Sequence, residues 1–127
     1  MIRRLKARGL RIETQRRTVL TVAGRRVRVL AARQGLHHHP VRAHGQRYEY
    51  SYPRTIWSCH QHGKRITPPP DMWAFLDLTD GALFIVPGPV VHGLTVSRHI
   101  GDESRDAALL QYRNRYDLLV PAKERAA

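Results

Sequence analysis

Eight histidines give this chain many side chains that can bind a metal or carry protons near neutral pH. A structural zinc site needs two pairs of ligands at fixed spacing, commonly with several cysteine thiolates. Cys59 is the only cysteine in the sequence, so we predict no bound metal. Most of the histidines fall in a cluster and a pair, which are His37, His38, His39 and His44, and then His60 and His62.

The pair His60 and His62 would share one face of a strand, because strand side chains alternate between faces. From that face they would contact phosphate or act as a general base. Carboxylates that could assist them are scarce, since there is no Asp or Glu between Glu13 and Glu49. We expect no catalytic residues; if the protein is an enzyme, the candidates are His60, His62, Glu49 and Asp71.

The charge of the chain favours binding to a polyanion. The formal net charge is +12, and it comes from 19 Arg and 3 Lys against 10 acidic residues. Residues 1–65 have a net charge of +14, whereas residues 66–127 have a net charge of −2. Guanidinium groups without local carboxylates are suited to phosphate. The predicted nucleic-acid contacts are Arg16, Arg17, Arg25, Arg26, Arg28, Arg33, Arg42, Arg47, Arg54, Lys64, Arg65 and Tyr50.

Aromatic residues support this prediction in part. Tyr48, Tyr50 and Tyr52 alternate with polar residues and would share one strand face, from which they would either stack on bases or pack at the edge of the core. Trp57 and Trp73 lie in apolar sequence and are predicted core residues. Cys59 is predicted to be a buried small side chain rather than a nucleophile.

Length and composition limit the class of protein. A chain of 127 residues fits one domain, predicted here at residues 1–120 with a tail at 121–127. Its single cysteine cannot form an internal disulfide, and no apolar run is long enough to span a membrane. Residues 1–10 do not have the pattern of a secretory signal. We therefore expect a cytoplasmic protein that does not bind membranes.

Hydrophobic periodicity predicts a chain dominated by strands. The segment 35–45 has turn composition and is predicted to be a loop, and Asp80-Gly81 is a strong hairpin signal between two apolar strands that we expect to be central in a sheet. The predicted strands are 10–14, 18–22, 26–32, 47–52, 54–60, 72–79, 82–87 and an edge strand at 93–97. The predicted helices are a short one at 1–8 and an amphipathic one at 102–119.

Two stretches resemble the PD-(D/E)XK nuclease superfamily. The first, 19–33, reads VLTVAGRRVRVLAAR and resembles its catalytic hairpin, in which two strands joined by a glycine turn present an acid and then an acid-x-Lys triplet. The second is IWSCHQHGK at 56–64 with DMWAFL at 71–76 and LFIVP at 83–87. It resembles the downstream half of small endonuclease-like members, where a His and Gly-Lys turn precedes an Asp-led apolar strand. The resemblance covers about residues 2–97.

The residues at the catalytic positions depart from that family. The acid-x-Lys triplet falls on Arg28, Val29 and Leu30, and the preceding acid falls on Val19, or on Thr18 in a register shifted by one. In such nucleases the carboxylates hold Mg²⁺ and the lysine orients the nucleophile. Residues 14–48 contain no carboxylate, so no shift of register restores the site. The resemblance implies a restriction-endonuclease-like α/β fold, a mixed β-sheet flanked by helices, with a degenerate active site.

These observations predict a nucleic-acid-binding protein without a cofactor and without metal-dependent cleavage, with DNA favoured over structured RNA as its partner. One alternative is an active Mg²⁺-dependent endonuclease whose acids have moved, for example to Glu13, Glu49 and Asp71. Another is a basic subunit of a larger nucleoprotein complex, with its neutral half facing protein partners.

Overall fold

The computed structural model describes residues 1–120 except 17, 62, 63, 67, 92 and 101, and within the strands it leaves out the side chains of residues 14–16, 38, 39, 41, 49–51, 61 and 65. It confirms a mixed α/β protein in which strands predominate. The strands are β1 (Ile12–Arg16), β2 (Val19–Val22), β3 (Arg25–Ala32), β4 (Gly35–Ala43), β5 (Gln46–Ser58), β6 (His60–Gln61), β7 (Lys64–Arg65), β8 (Met72–Asp77), β9 (Leu83–Pro87) and β10 (Thr95–Arg98). The helices are α1 (Ile2–Ala7), α2 (Gly88–Val91) and α3 (Ala107–Leu110), with 3₁₀ turns at Glu103–Asp106 and Tyr116–Leu119.

The main sheet has five strands in the order β1-β2-β3-β8-β9. β1, β2 and β3 are antiparallel neighbours, β3 runs parallel to β8, and β8 and β9 form an antiparallel hairpin. The predicted hairpin across Gly24 is confirmed, with Ala23 and Gly24 at φ of 50° and 76° in its turn. Positive φ at both central residues is the geometry that matches the twist of two joined strands.

A second sheet has the order β10-β5-β4, and it corrects two predictions. The segment 35–45 is not a loop, because β4 pairs with β5 over nine residue pairs, from Gly35 opposite Arg54 to Ala43 opposite Gln46. The two strands predicted on either side of Pro53 are one continuous strand. Proline is tolerated there because β10 pairs only with residues 55–58, so β4 is the paired neighbour at Pro53.

We call the pairing of β4 with residues 46–54 of β5 the ribbon. Its turn consists of His44 and Gly45, at φ of 52° and 72°, and its two strands are long and antiparallel. The described side chains from residue 40 to residue 48 are exposed, apart from half-buried Ala43. The ribbon therefore extends away from the core into solvent.

The main sheet is covered on both faces. Leu5 of α1 packs with Leu20, Val22 and Val27 on one face, and Trp57 of β5 packs with Phe75 and Phe84 on the other. Trp57 and Trp73 are both buried, as predicted. Near-complete burial of β8 and β9 agrees with their apolar sequence.

Two further predictions are wrong in detail. β9 is not central but lies at the edge of the main sheet. The helix predicted over 102–119 is instead two 3₁₀ turns and the short helix α3, because the chain between them pairs with that edge. Tyr112 O accepts a bond of 3.1 Å from Ile85 N, and Asn114 N donates one of 2.9 Å to Leu83 O. The edge strand of a sheet needs hydrogen-bond partners, and here Tyr112 and Asn114 bond to β9 instead of forming helix hydrogen bonds.

Candidate nucleic-acid interface

Arg28 lies at the position that the nuclease resemblance gives to a metal-binding acid. Cross-strand pairing places it directly opposite Val19, the other expected acid position, and beside Trp73 of β8. The two positions that should hold carboxylates are thus neighbours across β2 and β3, and they carry a valine and an arginine. The Nε of Arg28 is buried and has no hydrogen-bond partner among the described residues. An unpaired buried guanidinium nitrogen is costly, and an anionic ligand would satisfy it.

Arg26 lies two residues earlier on the same strand face, but its groups are bound within the protein. Its Nη2 donates to the carbonyls of Pro68 at 2.9 Å and Pro69 at 3.2 Å. Its backbone N–H donates to Oδ2 of Asp71 at 2.8 Å, and Arg26 O accepts from Asp71 N at 3.0 Å. Asp71 therefore fixes the start of β8 against β3, which is a structural role.

The tip of the ribbon brings two arginines together. Arg42 and Arg47 are direct cross-strand partners, and both are exposed. Like charges directly opposite each other destabilise a strand pair. On the same strand as Arg47, Tyr48 is 45% exposed and donates a hydrogen bond of 2.7 Å to Gln46 Oε1. The ribbon therefore presents a basic tip with an accessible aromatic ring beside it.

The other predicted contact residues divide into three groups. Arg33 and Lys64 are exposed. Arg25 is half-buried and donates to Leu118 O at 2.9 Å, and Arg54 is half-buried at the base of the ribbon. Residue 17 lies outside the described residues, and the side chains of Arg16, Arg65 and Tyr50 lie outside the description.

Ion pairs are distributed unevenly along the chain. The described pairs join Arg98 to Asp77 and Asp80, His99 to Asp106, and Arg115 to Asp117. Among the described side chains, no arginine or lysine of residues 1–65 pairs with a carboxylate. The described basic side chains of residues 1–65 therefore have no carboxylate partners in the folded protein.

The candidate catalytic residues whose side chains are described do not come together in one site. His60 is half-buried in β6, opposite Arg65, and Asp71 holds Arg26. His62 and the side chain of Glu49 lie outside the description. Within the described part of the chain, no three His, Cys, Asp or Glu side chains lie close enough to share a metal ion. Cys59 is buried, as predicted, and burial raises its pKa to about 12, so it is a neutral thiol at pH 7.

Sequence reasoning missed a buried polar cluster where β5, β8 and β10 meet. Arg98, 2% exposed, donates to Asp77 Oδ2 at 3.1 Å and to both carboxylate oxygens of Asp80 at 2.8 and 2.9 Å. Thr55 Oγ1 donates to Asp77 Oδ2 at 2.8 Å. The hydrogen bond from Arg98 lowers the pKa of Asp80 to about 2. This cluster ties the β8–β9 turn to the second sheet, so Asp80 is more than a turn residue.

A second missed pair follows β10. His99 Nδ1 lies 2.8 Å from Oδ1 of Asp106, and His99 N donates to Oδ2 of the same carboxylate at 2.6 Å. One signal in the sequence indicated buried polar groups near β10. Arg98 is a charged residue that shares an inward-facing strand face with Val96.

No protein-family model, curated protein or solved structure matches this chain. Of the helices in the described residues, none has the length and apolar character needed to cross a bilayer.

Proposed function

We propose that this protein binds nucleic acid through the ribbon and the arginines of its first half, on a restriction-endonuclease-like sheet whose catalytic acids have been replaced. The observation that carries the proposal is the pair Arg42 and Arg47, which are exposed and directly opposite each other at the ribbon tip. Phosphate groups would neutralise both charges and turn an unfavourable pair into a binding element.

The resemblance to PD-(D/E)XK nucleases is supported by the order of the elements. A glycine-turn hairpin is followed by an Asp71-led apolar strand and by a strand that ends at Pro87, in the order that the resemblance implies. Arg28, with its unpaired Nε, takes the acid's position. A site that would hold Mg²⁺ in a nuclease would here hold a phosphate directly.

Duplex DNA is the partner that suits the ribbon best. The major groove of B-form DNA is about 12 Å wide and admits a two-stranded β-ribbon. The major groove of A-form RNA is deep and narrow, so side chains on a ribbon cannot read it. The ribbon of nine cross-strand pairs, with arginines at its tip, would place those arginines against the phosphates that line the groove.

The test is the affinity for a short DNA duplex, measured by fluorescence anisotropy over a range of salt concentrations. If six or more phosphates are contacted, affinity falls roughly 10³-fold between about 50 and 200 mM salt. The Arg42→Ala, Arg47→Ala double variant should bind more weakly, with the slope of log K against log salt smaller by about two. Arg115→Ala is the matched control, because Arg115 is exposed but paired with Asp117.

A salt dependence close to zero would contradict the proposal. So would a double variant that binds with the affinity and slope of the wild type. Equal affinity for duplex RNA would contradict the assignment to the DNA major groove.

A further inference from the structure

The outer face of the second sheet carries a polar cluster at the base of the ribbon. Tyr52 and Arg54 alternate along β5 and share this face, while Thr55 is buried on the opposite one. Arg54 Nη1 donates to Ser97 Oγ of β10 at 3.3 Å, so Ser97 belongs to the same face. The guanidinium carbon of Arg54 lies 5.4 Å from the centre of the Tyr52 ring.

His99 completes this cluster just after the end of β10. Its ring stacks on Tyr52, with 6.1 Å between ring centres and an angle of 21°. Asp106 holds it through two hydrogen bonds, at Nδ1 and at the backbone N–H. Since the pairing of β10 with β5 ends at Arg98 opposite Thr55, the next residue, His99, lies beside Arg54. The carboxylate fixes Nδ1, so Nε2 is the nitrogen left to meet a ligand.

Two buried nitrogens in this cluster have no hydrogen-bond partner among the described residues. They are Nε of Arg54 and Nε2 of His99. Buried polar atoms of this kind are rare and call for a ligand or an ordered water. Both residues border the Tyr52 ring, and the Arg54 nitrogen, which can only donate and belongs to a cation, favours an acceptor with negative charge.

The charges around the cluster favour the same ligand. Arg105 lies with its guanidinium carbon 5.9 Å from the Tyr52 ring and is exposed. Among the described side chains, neither Arg54 nor Arg105 pairs with a carboxylate, and Asp106 is engaged by His99. The cluster therefore has an excess of positive charge, with Arg105 at its solvent side.

The neighbouring strand β4 places a glycine opposite Arg54. This glycine is Gly35, which has no side chain, and the cross-strand partner of Tyr52 is His37. A Cβ placed on Gly35 would lie 3.7 Å from Nε2 of His37. A second imidazole thus borders the space above Gly35.

We propose that Arg54, His99 and Arg105 form a binding site for a phosphate group, with Tyr52 as its floor and Asp106 as the residue that positions His99. Arg54 Nε donates to a phosphate oxygen, His99 Nε2 donates to another when the imidazole carries a proton on both ring nitrogens, and Arg105 binds the group from the solvent side. The phosphate belongs either to the end of a nucleic-acid strand or to its backbone. The site does not require DNA binding by the ribbon, because inorganic phosphate alone tests it.

The experiment is an NMR titration of the whole protein with inorganic phosphate at constant ionic strength, following the His99 ring and the Arg54 Nε–H. Saturable shifts of both resonances are expected. Arg54→Gln should weaken phosphate binding roughly ten- to hundredfold, since it removes charge-assisted hydrogen bonds. Arg115→Gln removes an exposed arginine that is paired with Asp117 and should bind as the wild type does.

Absence of saturable shifts at His99 in the wild type would overturn the site, and this measurement does not depend on any variant folding. Equal phosphate affinity in Arg54→Gln would overturn it as well. Oligonucleotides of one sequence, with and without a 5′-phosphate, then identify the source of the phosphate. Shifts at His99 with the phosphorylated strand alone indicate a strand end, and equal shifts with both indicate the backbone. DNA affinity that fails while inorganic phosphate still binds would contradict only the proposed function.

Discussion

The carboxylate of Asp80 shows how one side chain can serve two elements. It accepts a hydrogen bond of 3.0 Å from Ala82 N within the β8–β9 turn and pairs with both Nη atoms of Arg98 on β10. Arg98 also lies 5.3 Å from the centre of the Phe84 ring. Removing one member of a buried ion pair lowers the free energy of unfolding by more than the pair itself contributes, because the remaining charge is left unpaired.

The stability of the protein should therefore fall in acid. The pKa of Asp80 is lowered from 3.8 to about 2 in the folded protein. A lowered pKa means that the unfolded chain binds the proton more readily, so the contribution is present above about pH 4 and is lost as the pH falls towards 2. Urea unfolding between pH 5 and pH 2 should show a steeper loss in the wild type than in Asp80→Asn. Parallel pH profiles for the two proteins would contradict this role of Asp80.

Single residues were predictable from sequence where local composition decides their environment. Trp57, Trp73 and Cys59 are buried as expected, and for Trp73 the apolar sequence of β8 is the reason. The pairs of Arg98 with Asp77 and of His99 with Asp106 were not found. They depend on which distant strands become neighbours, and periodicity within one segment carries no information about that.

The ribbon is the element on which the proposed function depends, and it can be shortened without touching the core. His39 and Tyr50 are cross-strand partners, so replacing residues 40–49 with Asn-Gly joins them through a favoured two-residue turn. The melting temperature should change little, because the described side chains removed are exposed or half-buried. Affinity for duplex DNA should fall about tenfold or more.

Anisotropy and thermal unfolding of the shortened protein measure these two effects separately. An unchanged affinity with an intact fold would show that the ribbon does not contact DNA. The phosphate site would be retained in this variant, because Tyr52 and Arg54 lie below the new turn. An NMR titration of the shortened protein with inorganic phosphate therefore distinguishes the two proposals.

Two elements were predicted wrongly because tertiary pairing overrides local pattern. The segment with His37, His38 and His39 has the composition of a loop, and it is a strand because β5 supplies a continuous partner. The turn residues His44 and Gly45 were the missed signal, since an X-Gly pair suits two positive φ angles. Over 102–119 the apolar spacing suggested a helix, but the edge of β9 takes the hydrogen bonds of Tyr112 and Asn114.

At the scale of the whole molecule, both faces of the main sheet are covered by apolar cores, so we expect the binding surfaces to lie at its periphery. The cores on both sides are apolar and contain α1 on one face and β5 on the other. The arginines that have no carboxylate partner among the described side chains lie on the ribbon and on β3, whereas Asp71, Asp77, Asp80 and Asp106 are engaged in structural pairs or backbone contacts. Such a division suits binding to a polyanion better than metal-dependent catalysis.

We therefore expect no metal-dependent cleavage of nucleic acid. The positions that the nuclease resemblance assigns to the two metal-binding acids are Val19 and Arg28, adjacent across β2 and β3, and a guanidinium there would repel Mg²⁺. Loss of the stabilisation that a metal gives to the transition state is worth roughly 10³-fold or more in rate. Supercoiled plasmid, single-stranded DNA and structured RNA, incubated with the protein in Mg²⁺ or Mn²⁺, should remain intact.

Three variants make that result interpretable if cleavage is seen. Metal-dependent turnover lost in Glu49→Ala or Asp71→Asn would show that the acids have moved and would end the proposal of a degenerate site. Asp71→Asn is preferred to alanine because its amide oxygen can still accept the hydrogen bond from Arg26 N. Turnover that persists in EDTA but is lost in the His60→Ala, His62→Ala double variant would point to histidine chemistry on RNA, since such a reaction needs a general base and a 2′-hydroxyl but no metal. Metal-dependent turnover kept by all three variants but lost in Glu13→Ala would also show that the acids have moved. Turnover that every variant keeps and that separates from the protein on further purification would belong to a contaminating nuclease.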